Sequence, residues 1–549
     1  MSSPFWVRPT SSAVTFVGVT SGEARPHGLA RLNYDVLEHI YEHLSSPGDL
    51  DSLSLTCKWL RASCRPFLFR CSATRADRLT IEHFLPPQFW HYVHSLTFEG
   101  EWVYPNPPYS CYHAISLAEI LPLFPCLSRI RVLDGSCNGV PWPALNEILT
   151  LRRLRTFEVN DTLHHYSTEI DPPPKEFTSP CAPLGCYRQV LEDYRLPPRI
   201  FPSDVNTIAY VASQKQVQQS LEVLVLPSEA APLAALEDAC WPKLKVLGLK
   251  GELRKDQPLI HAFERMPALE ELRLEVARAK YAGQALVICP TDWPGPSPWP
   301  HLKRLVVAYP DPDDPLYSHV SATGTLQLLD LRCWPRHYVH LAVDNRLHMV
   351  NLGWRSPILK SSALLRLLSR CQSRSLLELL IEYLEDEDDM MLLGHLPILF
   401  PNLRRLTILR YRRPSAADVP IRAIGEALAP LSQLQVLYVH LDLHGAPHPW
   451  ANDNYRGRKE MVRHSQALVE AAQSLAQGLG VSVEAVCLLF RDMRSNFWRH
   501  FRVVRTGTVV RASLDASLLQ ELGLLAEDDR GPPVAYREWE SRRMMLPNN

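Results

Sequence analysis

The chain has no apolar run approaching the roughly 20 residues that a membrane-spanning helix needs, so no membrane is expected among its partners. It has no surplus of charge either: 58 Lys and Arg face 59 Asp and Glu, a net charge of -1. Nothing in that balance favours nucleic acid as a partner. The signatures of catalysis are missing, with no GxGxxG, no P-loop, no GxSxG and no HExxH, and neither an enzyme nor a cofactor is expected. Its 13 cysteines are an odd number, and Cys181 with Cys186 has no second pair at zinc spacing. They read as reduced thiols in a protein of the cytoplasm or nucleus. The adjacent His164 and His165 cannot converge on one face, and no metal site is expected. Ala13 to Val19, interrupted by Thr15, is too polar for a signal-peptide core, and residues 1–28 read as a loose tail.

What the chain does have is apolar patterning, at 46% of residues, enough for a large core. The stretch from Leu32 to Phe69 is the densest. Val36, Leu37, Ile40, Tyr41 and Leu44 fall at helical spacing and make one apolar stripe. Pro47 and Gly48 break that helix and Asp49 can cap the next. Leu50, Leu53, Leu55, Trp59 and Leu60 supply a second apolar set before Pro66 interrupts again. Three short helices in so few residues rarely enclose a core unaided, so a partner surface is expected to cover them.

The order Leu32, Asp35-Val36-Leu37, Ile40-Tyr41, Leu44, then Asp49-Leu50, Leu53-Ser54-Leu55-Thr56-Cys57-Lys58-Trp59-Leu60-Arg61 resembles an F-box, especially the fungal kind. Asn33 stands where that family usually has Pro, and Asn is a good helix N-cap; Trp59 comes one residue earlier than the family's aromatic. The resemblance implies an F-box over residues 29–72 that docks on the Skp adaptor, and through it on a cullin, using Leu32, Val36, Leu37, Ile40, Leu44, Leu50, Leu53 and Leu60. The alternative is that these helices only cap the domain behind them.

Beyond them one phrase recurs, a large apolar residue, Pro, any residue, Leu: Phe124-Pro125 to Leu127, Trp241-Pro242 to Leu244, Met266-Pro267 to Leu269, Trp299-Pro300 to Leu302 and Phe400-Pro401 to Leu403. Apolar residues follow each Leu at the third and fifth positions, which share one face of a strand. The bulky residue is expected to end a helix against the core, with Pro stopping it at the start of a strand. Weaker copies begin at Val93, Leu154, Leu221, Leu326, Leu347, Leu376 and Leu434, mostly roughly 20 to 35 residues apart. The pattern resembles a degenerate leucine-rich repeat, which implies an α/β solenoid over 73–454 with a curved parallel sheet and outer helices; a helical-pair solenoid is the alternative.

The widest gap marks a Pro-rich insertion near 161–206, containing DPPPKE and one short helix near Tyr187 to Tyr194. The acidic run Glu385 to Asp389 reads as a solvated loop, with a site for a basic partner as the alternative. Residues 455–549 read as a helix over Met461 to Leu479 and one or two strands over Phe497 to Val510, either a cap on the last repeat or a small module.

Residues two, four and six after each starting Leu point away from the core. They include Arg131, Glu158, Arg273, Glu275, Asp330, Arg332, Arg405 and Tyr438, charges of both signs that suit a protein target. The expected function is therefore that of a substrate-recognition subunit of a Skp-cullin-F-box ubiquitin ligase, or else a leucine-rich interaction scaffold unrelated to ubiquitin.

Overall fold

A computed structural model describes residues 32–44, 47–76, 84–100, 117–133, 140, 142–160, 180–191, 202–253, 259–279, 286–293, 299–338, 353–355, 357–413, 418–446, 455–492, 495–507, 509–515 and 518. The chain divides into two compact units, Met1–Cys71 and Ser72–Asn549. The expected tail over 1–28, the DPPPKE segment and the His164-His165 pair lie outside the described residues.

The first unit holds three helices, Tyr34–His43, Pro47–Thr56 and Lys58–Leu68. Asn33 occupies the first N-cap position, but its side chain makes no capping bond; its carbonyl accepts the Val36 and Leu37 N–H groups instead. Pro47 opens the second helix rather than only breaking the first, since Pro in a first turn lacks an N–H that would be unpaired anyway. Nor does Pro66 end the third helix, which runs on to Leu68. The Cys57 sulfur caps that helix by accepting the Leu60 N–H at 3.4 Å.

The second unit is built on a parallel ladder. Strand β1 (Cys71–Arg75) comes first. Then follow β2 (Ser95–Glu99), β3 (Arg129–Leu133), β4 (Thr156–Val159), β5 (Cys186–Gln189), β6 (Val223–Pro227), β7 (Val246–Glu252), β8 (Glu271–Ala279), β9 (Arg304–Val307) and β10 (Leu328–Asp330). After the short β11 (Trp354–Arg355) and β12 (Leu359–Lys360) come β13 (Glu378–Leu384), β14 (Arg405–Tyr411), β15 (Val436–His440) and β16 (Ala485–Asp492), then β17 (Ser495–Thr506) and β18 (Val509–Leu514). From β2 through β10, then β13 to β16, neighbours pair in parallel. The register is uniform: Arg129, Thr156, Cys186, Val223, Val246, Glu271, Arg304 and Leu328 stand side by side, each two residues after the apolar residue that opens its repeat. This is the ladder of a leucine-rich solenoid, and the helical-pair alternative falls with it.

Each Pro-anchored corner is a tight turn. The N–H groups of Leu127, Leu244, Leu269, Leu302 and Leu403 donate to the carbonyls of Phe124, Trp241, Met266, Trp299 and Phe400, at 3.1 to 3.3 Å. Pro therefore sits at the second turn position, where its fixed φ is favourable, and not at the first position of the strand. All five bulky residues are buried in the main core, as are the apolar residues three and five after each Leu.

One repeat is placed differently from expectation. Tyr187 to Gln189 is not helical but part of β5, a full rung between β4 and β6 opened by the buried Leu184. The copy expected from Leu347 begins outside the described residues, and β10 pairs directly with β13. The true long excursion of the ladder is thus the chain between β10 and β13.

Within the acidic run, Glu385, Asp386 and Asp389 form a buried lock, and of its five acids Glu387 is the one that stands in solvent as a loop residue would. Asp386 accepts the Ser362 hydroxyl at 2.6 Å and the Asp388 N–H at 3.1 Å. Burial opposes its charge, but these bonds hold its carboxyl below the usual range. Glu385 and Asp389 both grip Arg410.

At the C-terminal end, β16 joins β15 in parallel and then β17 and β18 in antiparallel pairing. The helix Tyr455–Gly478 lies against the helix Ile421–Leu428 with two glycines in the contact. A Cβ on Gly425 would stand 2.8 Å from the Leu475 carbonyl oxygen, and one on Gly478 would stand 2.7 Å from that of Arg422. Gly478→Ala is expected to lower stability by about 1–3 kcal/mol through overpacking, although Ala is the better helix former by about 1 kcal/mol. Urea unfolding followed by circular dichroism checks this; a raised midpoint would show that the backbones do not touch.

Candidate functional site

Two surfaces concern function, one in each unit. In the first unit, Leu37, Tyr41, Leu50, Leu60 and Cys64 form a core of their own, with Ile40, Leu44, Leu53, Phe67 and Leu68 packed against it. Leu37, Leu50 and Leu60 therefore do not offer side chains to a partner: an i, i+4 pair on the first helix turns inward and meets the third helix. The Tyr41 hydroxyl bonds Ser63 at 2.8 Å, and its ring meets Phe67 edge-on. The apolar side chains left bare are Leu32, Val36, Leu55 and Trp59, exposed by 37, 48, 66 and 41%. Leu32 and Val36 were in the expected docking set; Leu55 and Trp59 were not. Ile40, Leu44 and Leu53 are half-buried.

In the second unit, helices and the main core cover one sheet face. The other, here the open face, carries the residues two, four and six after each repeat start. Alternation along the strands places seven of the eight expected target-binding residues on this side, and Arg332, two residues beyond the end of β10, is held there by Asp330, but their surroundings differ. Arg131 pairs with Glu158 at 2.8 Å and is half-buried. Arg273 pairs with Glu271, which also holds Arg304 at 3.3 Å, and Glu275 stands half-buried beside them. Arg405 pairs with Glu378 on the neighbouring strand at 3.3 Å.

Asp330 and Arg332 are turned to each other. Arg332 donates to both Asp330 oxygens, at 2.9 and 2.6 Å. Burial opposes the Asp330 charge, yet Arg332 and Arg336 keep its carboxyl below the usual range. Tyr438 is buried: it meets Trp498 edge-on at 5.2 Å and shares a cluster with Val436, Ala485, Cys487 and Leu518.

The chain itself covers part of this face, which no strand pattern could reveal. After β10 it crosses back. Trp334 packs with Ala277, Ala308 and Trp354, and the Trp354 ring N–H donates to Glu252 at 2.9 Å. Tyr338 and Ile358 pack with Leu409, Tyr411 and Leu489. Beneath them the Glu382 carboxylate accepts the Cys333 N–H (3.0 Å), the His337 N–H (2.8 Å) and the Tyr411 hydroxyl (2.9 Å). Burial, and then the Glu382 charge, push the Tyr411 phenol well above its ordinary range, so it stays a donor. Lys250 and Glu252 of β7 meet Trp334 and Trp354, so the uncovered charges are those of β3 to β5 and of the first residues of β8 and β9. One of them, Arg188 on β5, escaped sequence reasoning because Tyr187 and Gln189 hid the repeat.

Among the described residues no group of His, Cys, Asp and Glu is placed to hold a metal ion, and no helix is long and apolar enough to cross a membrane.

No family model and no curated protein matches the sequence. Among solved structures, a chain of the Toll–Spatzle complex of Drosophila aligns at 11% identity over 78% of this chain and 49% of that one, with a TM-score of 0.34. A chain of the TLR13–ssRNA13 complex aligns at 12% identity over 67% of this chain and 49% of that one, with a TM-score of 0.30. This chain spans about half the length of each. At such scores the likeness adds nothing to the strand register, which by itself makes the second unit a leucine-rich solenoid.

Proposed function

We propose that the chain is a non-catalytic receptor: its N-terminal helices dock on a Skp adaptor, which joins it to a cullin-based ubiquitin ligase in the cytoplasm or nucleus, and its open sheet face holds a target protein. The observation that carries this reading is the set of Leu32, Val36, Leu55 and Trp59, left bare on a unit whose core is already filled. An adaptor groove would cover Trp59 and Leu55, which this chain leaves in water. Fully burying such side chains stabilises by about 1.5–3 kcal/mol each, so the partly exposed set supplies a smaller but useful share. The ligase would supply the bond chemistry, and this chain the effective concentration of its target.

Co-purification of the full chain with a Skp adaptor tests this. Wild type and Arg131→Gln are expected to bring the adaptor down, whereas Val36→Asp and Trp59→Asp each lose it by about thirtyfold, the scale of an interface hot spot. Equal recovery by all four, or recovery by none, would leave a leucine-rich scaffold without a link to ubiquitin.

A further inference from the structure

The ladder brings Arg131, Glu158 and Arg188 into register on three adjacent strands, and Arg129 lies two residues from Arg131 on the same face. Glu158 serves both arginines of β3, accepting from Arg129 at 3.1 Å and pairing with Arg131 at 2.8 Å. Its side chain is only 13% exposed, against 51% and 43% for the two arginines. The carboxylate therefore lies below and the guanidinium groups above it. Arg188 is exposed beside the Cys186 thiol, and among the described residues no carboxylate pairs with it. Three guanidinium groups, two of them paired with Glu158, thus stand within a width of roughly 10 Å, two strand spacings.

Other charges on this face are nearer balance. Arg273 and Arg304 have Glu271 and Glu275 beside them, Asp330 has Arg332, and Glu378 has Arg405. The surplus is local to β3–β5, where three arginines outnumber Glu158 and the exposed Glu99 at the neighbouring edge on β2, and on the other side on β6 stand the half-buried Val223 and Val225.

We infer that the β3–β5 part of the open face receives an acidic, carboxylate-rich extended segment of the target protein; the inference rests on the reading of this face as the target-holding one. Guanidinium groups take carboxylates in bidentate pairs. Carboxylates three residues apart in a polyproline II segment lie on the same side roughly 9 Å from each other, which spans from Arg131 to Arg188. An apolar side chain beside the acidic run would rest on Val223 and Val225. Single-stranded nucleic acid fits less well. The outward positions of β3, β4 and β5 are Arg129, Arg131, Leu133, Thr156, Glu158 and Cys186 with Arg188, without an aromatic ring for a base to stack on.

The test uses the full chain and fluorescence anisotropy of labelled hexaglutamate, with hexaglutamine and octauridylate for comparison. Hexaglutamate is expected to bind, hexaglutamine not, and added salt to weaken the binding. Replacing Arg129, Arg131 and Arg188 together by Gln is expected to weaken it about tenfold. Glu158→Gln, which releases two guanidinium groups, is expected to tighten it about threefold, a gain that loss of folding could not produce. No binding to wild type, equal binding to the triple variant, or binding of octauridylate in preference would overturn the inference. If the triple variant still recovers the Skp adaptor while hexaglutamate binding is unmoved, the acidic assignment alone fails. If the arginines respond but no adaptor is recovered by wild type, the ligase reading alone fails.

Discussion

Arg410→Ala is expected to cost about 3–5 kcal/mol of stability at neutral pH, because it strands two buried carboxylates. The Arg410 side chain is 3% exposed and lies between Glu385 and Asp389, themselves 10% and 9% exposed. Its Nε donates to Asp389 at 2.9 Å. Both acids have further donors, the Arg413 N–H on Glu385 at 3.1 Å and the Tyr383 hydroxyl on Asp389 at 2.9 Å. Burial, and then the Asp389 charge, push the Tyr383 phenol well up, so it cannot relieve the site by ionising. Without the guanidinium, the remaining donors hold two negative charges in the interior, and the joint between β13 and β14 loosens. The companion variant Arg410→Met with Glu385→Gln and Asp389→Asn is expected to recover most of the loss, since a neutral replacement of a buried ionic cluster is often harmless. Urea unfolding of both variants checks this. A single substitution as harmless as the triple would mean that water reaches the cluster.

Trp299→Ala is expected to cost a similar amount, about 3–5 kcal/mol. The indole is fully buried, and its N–H donates to the Phe263 carbonyl at 2.9 Å. It therefore ties the corner before β9 to the helix Ile260–Phe263 of the preceding repeat. Trp241 does the same within its own repeat, donating to Leu236 at 3.3 Å. Removing the ring leaves a cavity in a core where repeats touch only their neighbours, and the freed Phe263 carbonyl loses its buried donor. Thermal unfolding monitored by circular dichroism is expected to show a lower midpoint. A Trp299→Phe variant, which keeps much of the volume and loses only the N–H, should fall between. A loss of under 1 kcal/mol for Ala would place Trp299 outside the core.

Much of this ladder could be read from residues alone. A Leu followed by apolar side chains at the third and fifth positions carries its own geometry, and Pro at five corners fixed where the chain turns. The β5 repeat stayed hidden because Gln189 fills a core position that is apolar elsewhere, and it is fully buried with Tyr187 donating to it. On the first helix, Val36 and Leu37 are adjacent in one apolar stripe, and only contact with the third helix decides that Leu37 turns in while Val36 stays out. Tyr438 was assigned to the correct sheet face, but side-chain alternation cannot tell whether a later segment, here Trp498 and Leu518, folds over it.

Calorimetric titration of a Skp adaptor into the full chain bears most directly on the proposal that the N-terminal helices need another polypeptide. The expected result is one adaptor bound per chain, with binding abolished in the Val36→Asp and Trp59→Asp double variant while thermal unfolding of the second unit is unchanged. Wild-type chain that gives no binding, or a double variant that binds as well as wild type, would contradict it.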